Sequence, residues 1–187
     1  MSVQNNRKPD FSIHDQFINR WSPRAFLDKE ISEELLYSTL EAARWAPSSM
    51  NSQPWRFIIA RTKEDRERFH SFILDGNRTW CEQAPVLILL ISEKAAGAHT
   101  FDTGTAFGFL TLQALENGLA THPMGGFDKE KAREVLGIPN EYELHAVVAL
   151  GYQGDKTTLT PTLQDREAPS PRRPLKESIF EGTFSIE

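Results

Sequence analysis

The sequence predicts one globular domain in which helices separate short strands, and three observations lead there. Side chains able to cap helices, Ser32, Thr62 and Asp128, each stand at the head of a helix-forming stretch. Apolar runs of strand length occupy residues 55–60 (WRFIIA), 86–91 (VLILLI) and 146–151 (AVVALG). The 187 residues, 39% hydrophobic and 25% charged, suffice for one sizeable core.

In chain order, residues 11–19 suit a short helix with Ile13, Phe17 and Ile18 on one side, ending before Ser22-Pro23. Ser32 caps a second helix, with Glu33 and Glu34 favourable in its first turn and Pro47 closing it. The strand at 55–60 leads to a helix capped by Thr62, and Asp75-Gly76-Asn77 reads as the turn that follows. The run at 86–91 is apolar at every position, which suits a strand covered on both faces. A helix over residues 103–117 is apolar on most of its circumference and belongs at the centre. After the turn MGGF, Asp128 caps a short helix that Gly137 ends. Beyond Tyr152 the prolines at 161, 169, 171 and 174 indicate an extended excursion over the surface, closing on a short helix or strand in LKESIF.

Composition narrows the function. A net charge of -5 with no long basic run argues against a nucleic-acid surface. The one cysteine, Cys81, forms no internal disulfide, and no Cys/His spacing matches a metal site. The N-terminal MSVQNNRKPD lacks the apolar core of a secretory signal, and Gln113, Glu116 and Asn117 interrupt the longest apolar region, so a cytoplasmic protein without a membrane span is expected.

Four segments could carry chemistry. In RWSPRAF, Arg20 and Arg24 flank Ser22 and a proline-fixed turn, able to hold an anion or to stand solvated. APSSMNSQPW offers Ser48, Ser49, Asn51 and Gln53 between two prolines, as a ligand loop or as a helix end with an Asx turn. HPMGGFD lets backbone approach a ligand at Gly125-Gly126, or simply turns. PSPRRPL presents Arg172 and Arg173, again as an anion contact or a solvated turn. No G-x-S-x-G elbow, phosphate loop or dinucleotide fingerprint occurs, so an organic cofactor would have to supply the chemistry.

Together and in this order, the segments resemble the FMN-dependent nitroreductase family. RWSPRAF is similar to its R-x-S-x-[RK]-x-F signature and ARWAPSSMNSQPWRFII to its second; GNRTWCEQAPVLILL, DTGTAFGFLTLQALENGLATHPMGGFD, LGIP, VALGY and RRPLKE follow in the family's order. The resemblance implies an α+β nitroreductase-like fold, a central mixed but mostly antiparallel sheet flanked by helices. It further implies a single domain over 1–187, an intertwined homodimer with two FMN sites at the subunit interface, and an extended segment 155–187 wrapping the partner. Gly104 and Gly108 would let the long helix approach its counterpart closely.

The family pattern assigns Arg20, Trp21 and Ser22 to the FMN phosphate and ribityl side, and Arg24 to the flavin N1/O2 edge. Pro47, Ser48, Ser49, Met50 and Asn51 would reach the partner's FMN. Asn77 would meet the pyrimidine part of the ring, Gly125 and Gly126 would present backbone to N5, and Arg172 and Arg173 would complete the phosphate site. Family members with Glu-Gly at the glycine turn differ from Gly125-Gly126 here, and the short span between Ser92 and Phe101 implies a small lid. The implied activity is hydride transfer from NAD(P)H through flavin N5 to a nitroaromatic, quinone or flavin by a ping-pong cycle, with no catalytic side chain and no metal. A dehydrogenase, oxidase or dehalogenase on the same scaffold, or a non-catalytic FMN-binding module, stands as the alternative.

Overall fold

The apolar run at 86–91 becomes the spine of the molecule. The structure, a computed structural model, describes residues 5–184; the sequence readings that touch 1–4 and 185–187 lie outside the described residues. Four strands form one sheet in the order β1-β2-β4-β3: β1 Trp55–Ala60, β2 Val86–Glu93, β4 Tyr142–Gly151 and β3 Ala120–Met124. Every pairing is antiparallel, with Ile59 opposite Ile88, Ile88 opposite Val148, and Thr121 opposite Leu150.

Because side chains alternate along a strand, the uninterrupted apolar run sends core to both faces. Leu87, Leu89 and Ile91 pack with Phe69, Phe72, Trp80, Phe127 and Ala132 on one face. Those residues come from or adjoin α3 (Lys63–His70), α4 (Asp75–Cys81) and α6 (Lys129–Leu136). Val86, Ile88 and Leu90 pack with Leu36 and Ala114 on the other, beneath α2 (Glu33–Arg44) and α5 (His99–Glu116). The result is three layers with the sheet in the middle, an α+β architecture.

Helix ends follow local chemistry. The side chains of Ser32, Thr62 and Asp128 accept from the N–H groups of Leu35, Asp65 and Lys131, and Gly137 leaves α6 at φ 65° in the left-handed region. The helix expected over 11–19 is confined to α1, Asp15–Asn19. The segment LKESIF contains a single 3-10 turn, Leu175–Glu177.

One expectation is corrected and one strand is added. Asp75-Gly76-Asn77 is no turn but the first part of α4, which lacks a side-chain cap and is held by burial of Trp80 and Cys81. Strand β3, ATHPM, has no counterpart in the sequence reading; its Pro123 sits at the sheet edge, where a missing N–H is tolerated. In addition β4 begins at Tyr142, four residues before the apolar run, and carries a bulge opposite Leu90/Ile91 that leaves His145 without a direct partner on β2.

After Tyr152 the chain runs over the surface as expected but is fastened to its own body. Gly154 N–H donates to Ala25 O at 2.8 Å, and Phe26 bridges to Gln153. Leu159 and Glu167 are buried, and Leu175 N–H donates to Asp10 Oδ2 at 2.7 Å.

Candidate active site

The stretch after α1 is held from behind by residues that local sequence patterns do not disclose. Glu167 Oε1 accepts the N–H groups of Arg24 at 2.7 Å and Ala25 at 2.9 Å. The other carboxylate oxygen lies 3.8 Å from Arg24 Nη1, and the glutamate side chain is only 1% exposed. Arg24 Nη1 also reaches Arg166 O at 3.4 Å, and burial pushes its pKa below the usual arginine value. Pro23 O faces His122 Nδ1 at 2.9 Å, with the imidazole 4.4 Å from the Trp80 ring. Burial lowers the His122 pKa to about 4, so the ring is neutral at pH 7. A carbonyl only accepts, so Nδ1 carries the proton.

Arg20 and Arg172 are brought together from opposite ends of the sequence. Arg20 Nη1 donates to Ser22 Oγ at 3.3 Å, and its pKa is lowered first by burial and then by the charge of Arg172. Arg172 Nη1 donates to Pro171 O at 3.0 Å and more distantly to Ser170 O at 3.4 Å. A third cation, Arg7, joins them: its Nε donates to Ser170 O at 2.8 Å and its Nη1 to Arg20 O at 2.7 Å and Ile18 O at 3.0 Å. Among the described residues, no carboxylate is ion-paired with any of the three. Arg173 is exposed, and half-buried Trp21 lines a small cleft of about 160 Å³ with Arg20, Thr111 and Gln153.

The APSSMNSQPW loop is strained and outward-facing. Met50, Asn51 and Gln53 have φ of 52°, 56° and 46°, in the region that disfavours side chains, and Met50 is 98% exposed. Ser49 N–H donates to Asp102 Oδ2 at 3.1 Å and Glu93 N–H to Pro54 O at 3.0 Å, tying the loop to its surroundings, while Gln53 N–H donates to Ser48 Oγ at 3.0 Å within it. Asp102 belongs to the first turn of α5 and is buried. Among the described residues, no hydrogen bond or ion pair joins Pro47, Ser48, Ser49, Met50 or Asn51 to Arg20, Arg24, Asn77 or Gly126.

The glycine turn meets Asn77. Asn77 Nδ2 donates to Gly126 O at 3.2 Å, and Leu74 N–H donates to the same oxygen at 3.1 Å. A Cβ on Gly126 would stand 2.6 Å from Asn77 Nδ2, whereas one on Gly125 would meet nothing within 4 Å. Only at the second glycine would a Cβ force a neighbour, the end of the Asn77 side chain, to move. The Gly126 contact with Asn77 uses one of the two amide N–H donors and leaves Asn77 Oδ1 as an acceptor.

Arg7 and Glu167 are the site-bordering residues that sequence reasoning misses. Arg7 lies in a terminal stretch that matches no motif, and Glu167 in a proline-punctuated one that reads as surface. Cys81 offers no nucleophile: it is buried and its thiol is pushed up to about 12. Among the described residues no cluster of His, Cys, Asp and Glu could hold a metal, and no helix is long and apolar enough to cross a membrane.

Arg7, Arg20 and Arg172, gathered without a carboxylate partner among the described residues, form a donor set of the kind that suits an anion on an α+β scaffold. Comparison with known proteins makes the class specific. The chain belongs to the nitroreductase family, whose model matches residues 18–79 and 72–152. It is similar to a solved oxidoreductase containing FMN, 38% identical with a TM-score of 0.94, the match covering 100% of both chains. It is 29% identical to the iodotyrosine deiodinase of Thermotoga neapolitana, over 89% of this chain and 95% of the relative. It is 28% identical to an NADH dehydrogenase of Thermus thermophilus, over 74% of this chain and 85% of the relative.

Proposed function

We propose that the chain is an FMN-dependent oxidoreductase that works as a cytoplasmic homodimer, taking electrons from NAD(P)H and passing them to a small electron-poor acceptor. The observation that carries this reading is the junction at Arg7, which donates to Arg20 O and, together with Arg172 Nη1, to Ser170 O: cations gathered there gain from proximity only when an anion lies between them. A phosphomonoester fits that donor set. What FMN supplies when bound is two-electron chemistry: hydride accepted at N5 from NAD(P)H, then electrons delivered to a nitroaromatic, quinone or flavin in a second half-reaction.

The chain's own residues bind and orient. Arg20, Ser22, Arg172 and Arg173 take the phosphate, with Trp21 contributing backbone on the ribityl side. Arg24 gives positive charge to the N1/O2 edge, and its guanidinium is steadied for that task by Glu167. Asn77 accepts from the ring's pyrimidine N–H through the oxygen that its bond to Gly126 leaves over. Gly125 and Gly126 present backbone to N5. Pro47, Ser48, Ser49, Met50 and Asn51 serve the site of a second copy, which accounts for a strained loop that turns Met50 outward. The extended segment that starts at residue 155, in which Ile179, Phe180 and Phe184 are exposed, is the part that wraps the partner.

The test is spectroscopic. Purified protein should be yellow, and anaerobic NADH or NADPH should bleach it within the turnover time, a quinone restoring the colour. Colourless protein, or a flavin that neither nicotinamide reduces, would overturn the reading. A reductive dehalogenase is the second reading, favoured by the deiodinase alignment over 89% of the chain. Turnover of 3-iodotyrosine without turnover of quinones would select it.

A further inference from the structure

We infer that Arg7 is a third cation of the phosphate site, and that a bound phosphomonoester thereby fastens both ends of the chain to the end of α1. The inference rests on the proposed FMN reading. Its geometric basis is the convergence of three distant segments on one guanidinium. Arg7 Nη1 spans Ile18 O and Arg20 O at the end of α1, while its Nε holds Ser170 O in the C-terminal segment. Ser170 O also accepts from Arg172 Nη1, at 3.4 Å, so two guanidiniums share one carbonyl oxygen. The N-terminal side of this junction is itself pinned, with Asn5 Nδ2 donating to Ile18 O and to Asn19 Oδ1 at 3.1 Å.

A solitary arginine at a chain terminus gives up much rotamer freedom to adopt such a pose. Carbonyl oxygens return only partial negative charge, and the neighbouring Arg20 and Arg172 make the location worse for a cation. Both the burial and those two charges depress the Arg7 pKa. A dianion set among the three guanidiniums would attract each of them and so offset their mutual repulsion. Arg7 keeps Nη2 without a protein acceptor among the described residues, so the fork retains donors for a phosphate oxygen.

The bland account makes Arg7 a clamp between chain ends with no part in binding. Asp10 separates the two ideas. It joins the same N-terminal and C-terminal segments through Leu175 N–H at 2.7 Å and brings no positive charge.

Affinities for FMN and for riboflavin, which lacks the phosphate, should be measured by flavin fluorescence on the full-length apoprotein of wild type, Arg7→Ala, Arg7→Lys and Asp10→Ala. Arg7→Ala is expected to weaken FMN about 10- to 100-fold, the range for one charge-assisted contact, and riboflavin less than about 3-fold. Arg7→Lys should recover part of the FMN affinity, with a loss that deepens as salt rises. Asp10→Ala should leave the FMN-to-riboflavin ratio at the wild-type value. Equal weakening of both flavins by Arg7→Ala, or no effect on either, overturns the inference. A wild-type protein that does not prefer FMN to riboflavin overturns the phosphate reading beneath it, whatever Arg7 does. Should Arg7→Ala misfold, Arg7→Lys decides through the same ratio.

Discussion

Removing the Glu167 carboxylate should cost the protein a large part of its stability. The side chain is 1% exposed and serves three groups: the N–H of Arg24 at 2.7 Å, the N–H of Ala25 at 2.9 Å, and the Arg24 guanidinium at 3.8 Å. In Glu167→Ala the buried Ala25 N–H and its half-buried neighbour lose their acceptor, at roughly 1–3 kcal/mol for each unsatisfied donor. The guanidinium, at 3.8 Å, is too far for a hydrogen bond and is left out of the sum. The two donors together cost about 2–6 kcal/mol. Against a typical stability of roughly 5–15 kcal/mol this is a serious loss. Glu167→Gln keeps an acceptor oxygen for both N–H groups and should cost only about 1–2 kcal/mol, the charge-assisted part. Urea denaturation, with an unchanged m-value, reads both numbers. A Glu167→Ala protein within about 1 kcal/mol of wild type would refute the reasoning. So would a Glu167→Gln variant as unstable as the alanine, since ion pairing rather than N–H acceptance would then dominate.

Gly126→Ala should displace Asn77, because the added Cβ stands 2.6 Å from its Nδ2; flavin affinity should fall severalfold while Gly125→Ala, with open space around it, stays near wild type in the same titration. Stability should fall as pH drops from 6.5 toward 4: the unfolded chain protonates His122 in that window while the folded chain, with its pKa near 4, does not. The His122 share of that loss is about 2 kcal/mol at pH 5, and it is absent above 6.5. His70 and His145, also pushed down by burial, act in the same direction, so His122→Gln should flatten the urea-midpoint profile between pH 7.5 and 5 but not abolish its slope. Asp102→Ala should free Ser49 N–H and raise protease cleavage within residues 47–53, and Asp102→Asn, which keeps an acceptor, should restore most of the protection.

Where a structural feature depends on neighbours in sequence, it was legible. Ser32, Thr62 and Asp128 cap the helices they precede because a cap bond spans three residues, and Gly137 ends α6 because φ 65° suits glycine. The apolar run at 86–91 declared a strand buried on both faces before any partner was known, and both faces are covered. The same local logic failed at α4, where Asp75-Gly76-Asn77 has turn chemistry but burial of Trp80 and Cys81 outweighs it. It failed again at β3, whose Pro123 is tolerated only because the strand lies at an edge, a property of the assembled sheet.

By itself the sequence determined the elements, the two-faced strand and the order of motifs that places the chain in its family. Only the tertiary structure decided what stands behind and beside those motifs. Arg24 meets Glu167 across 143 residues and Arg7 meets Ser170 across 163, separations over which no residue's identity constrains another's position. Capping, backbone preference and hydrophobic period act within a few residues and leave a mark that can be read along the chain. A buried carboxylate that satisfies a distant backbone, or a guanidinium repelled by two others, acquires its meaning when packing around β2 brings the segments together and removes the water between them.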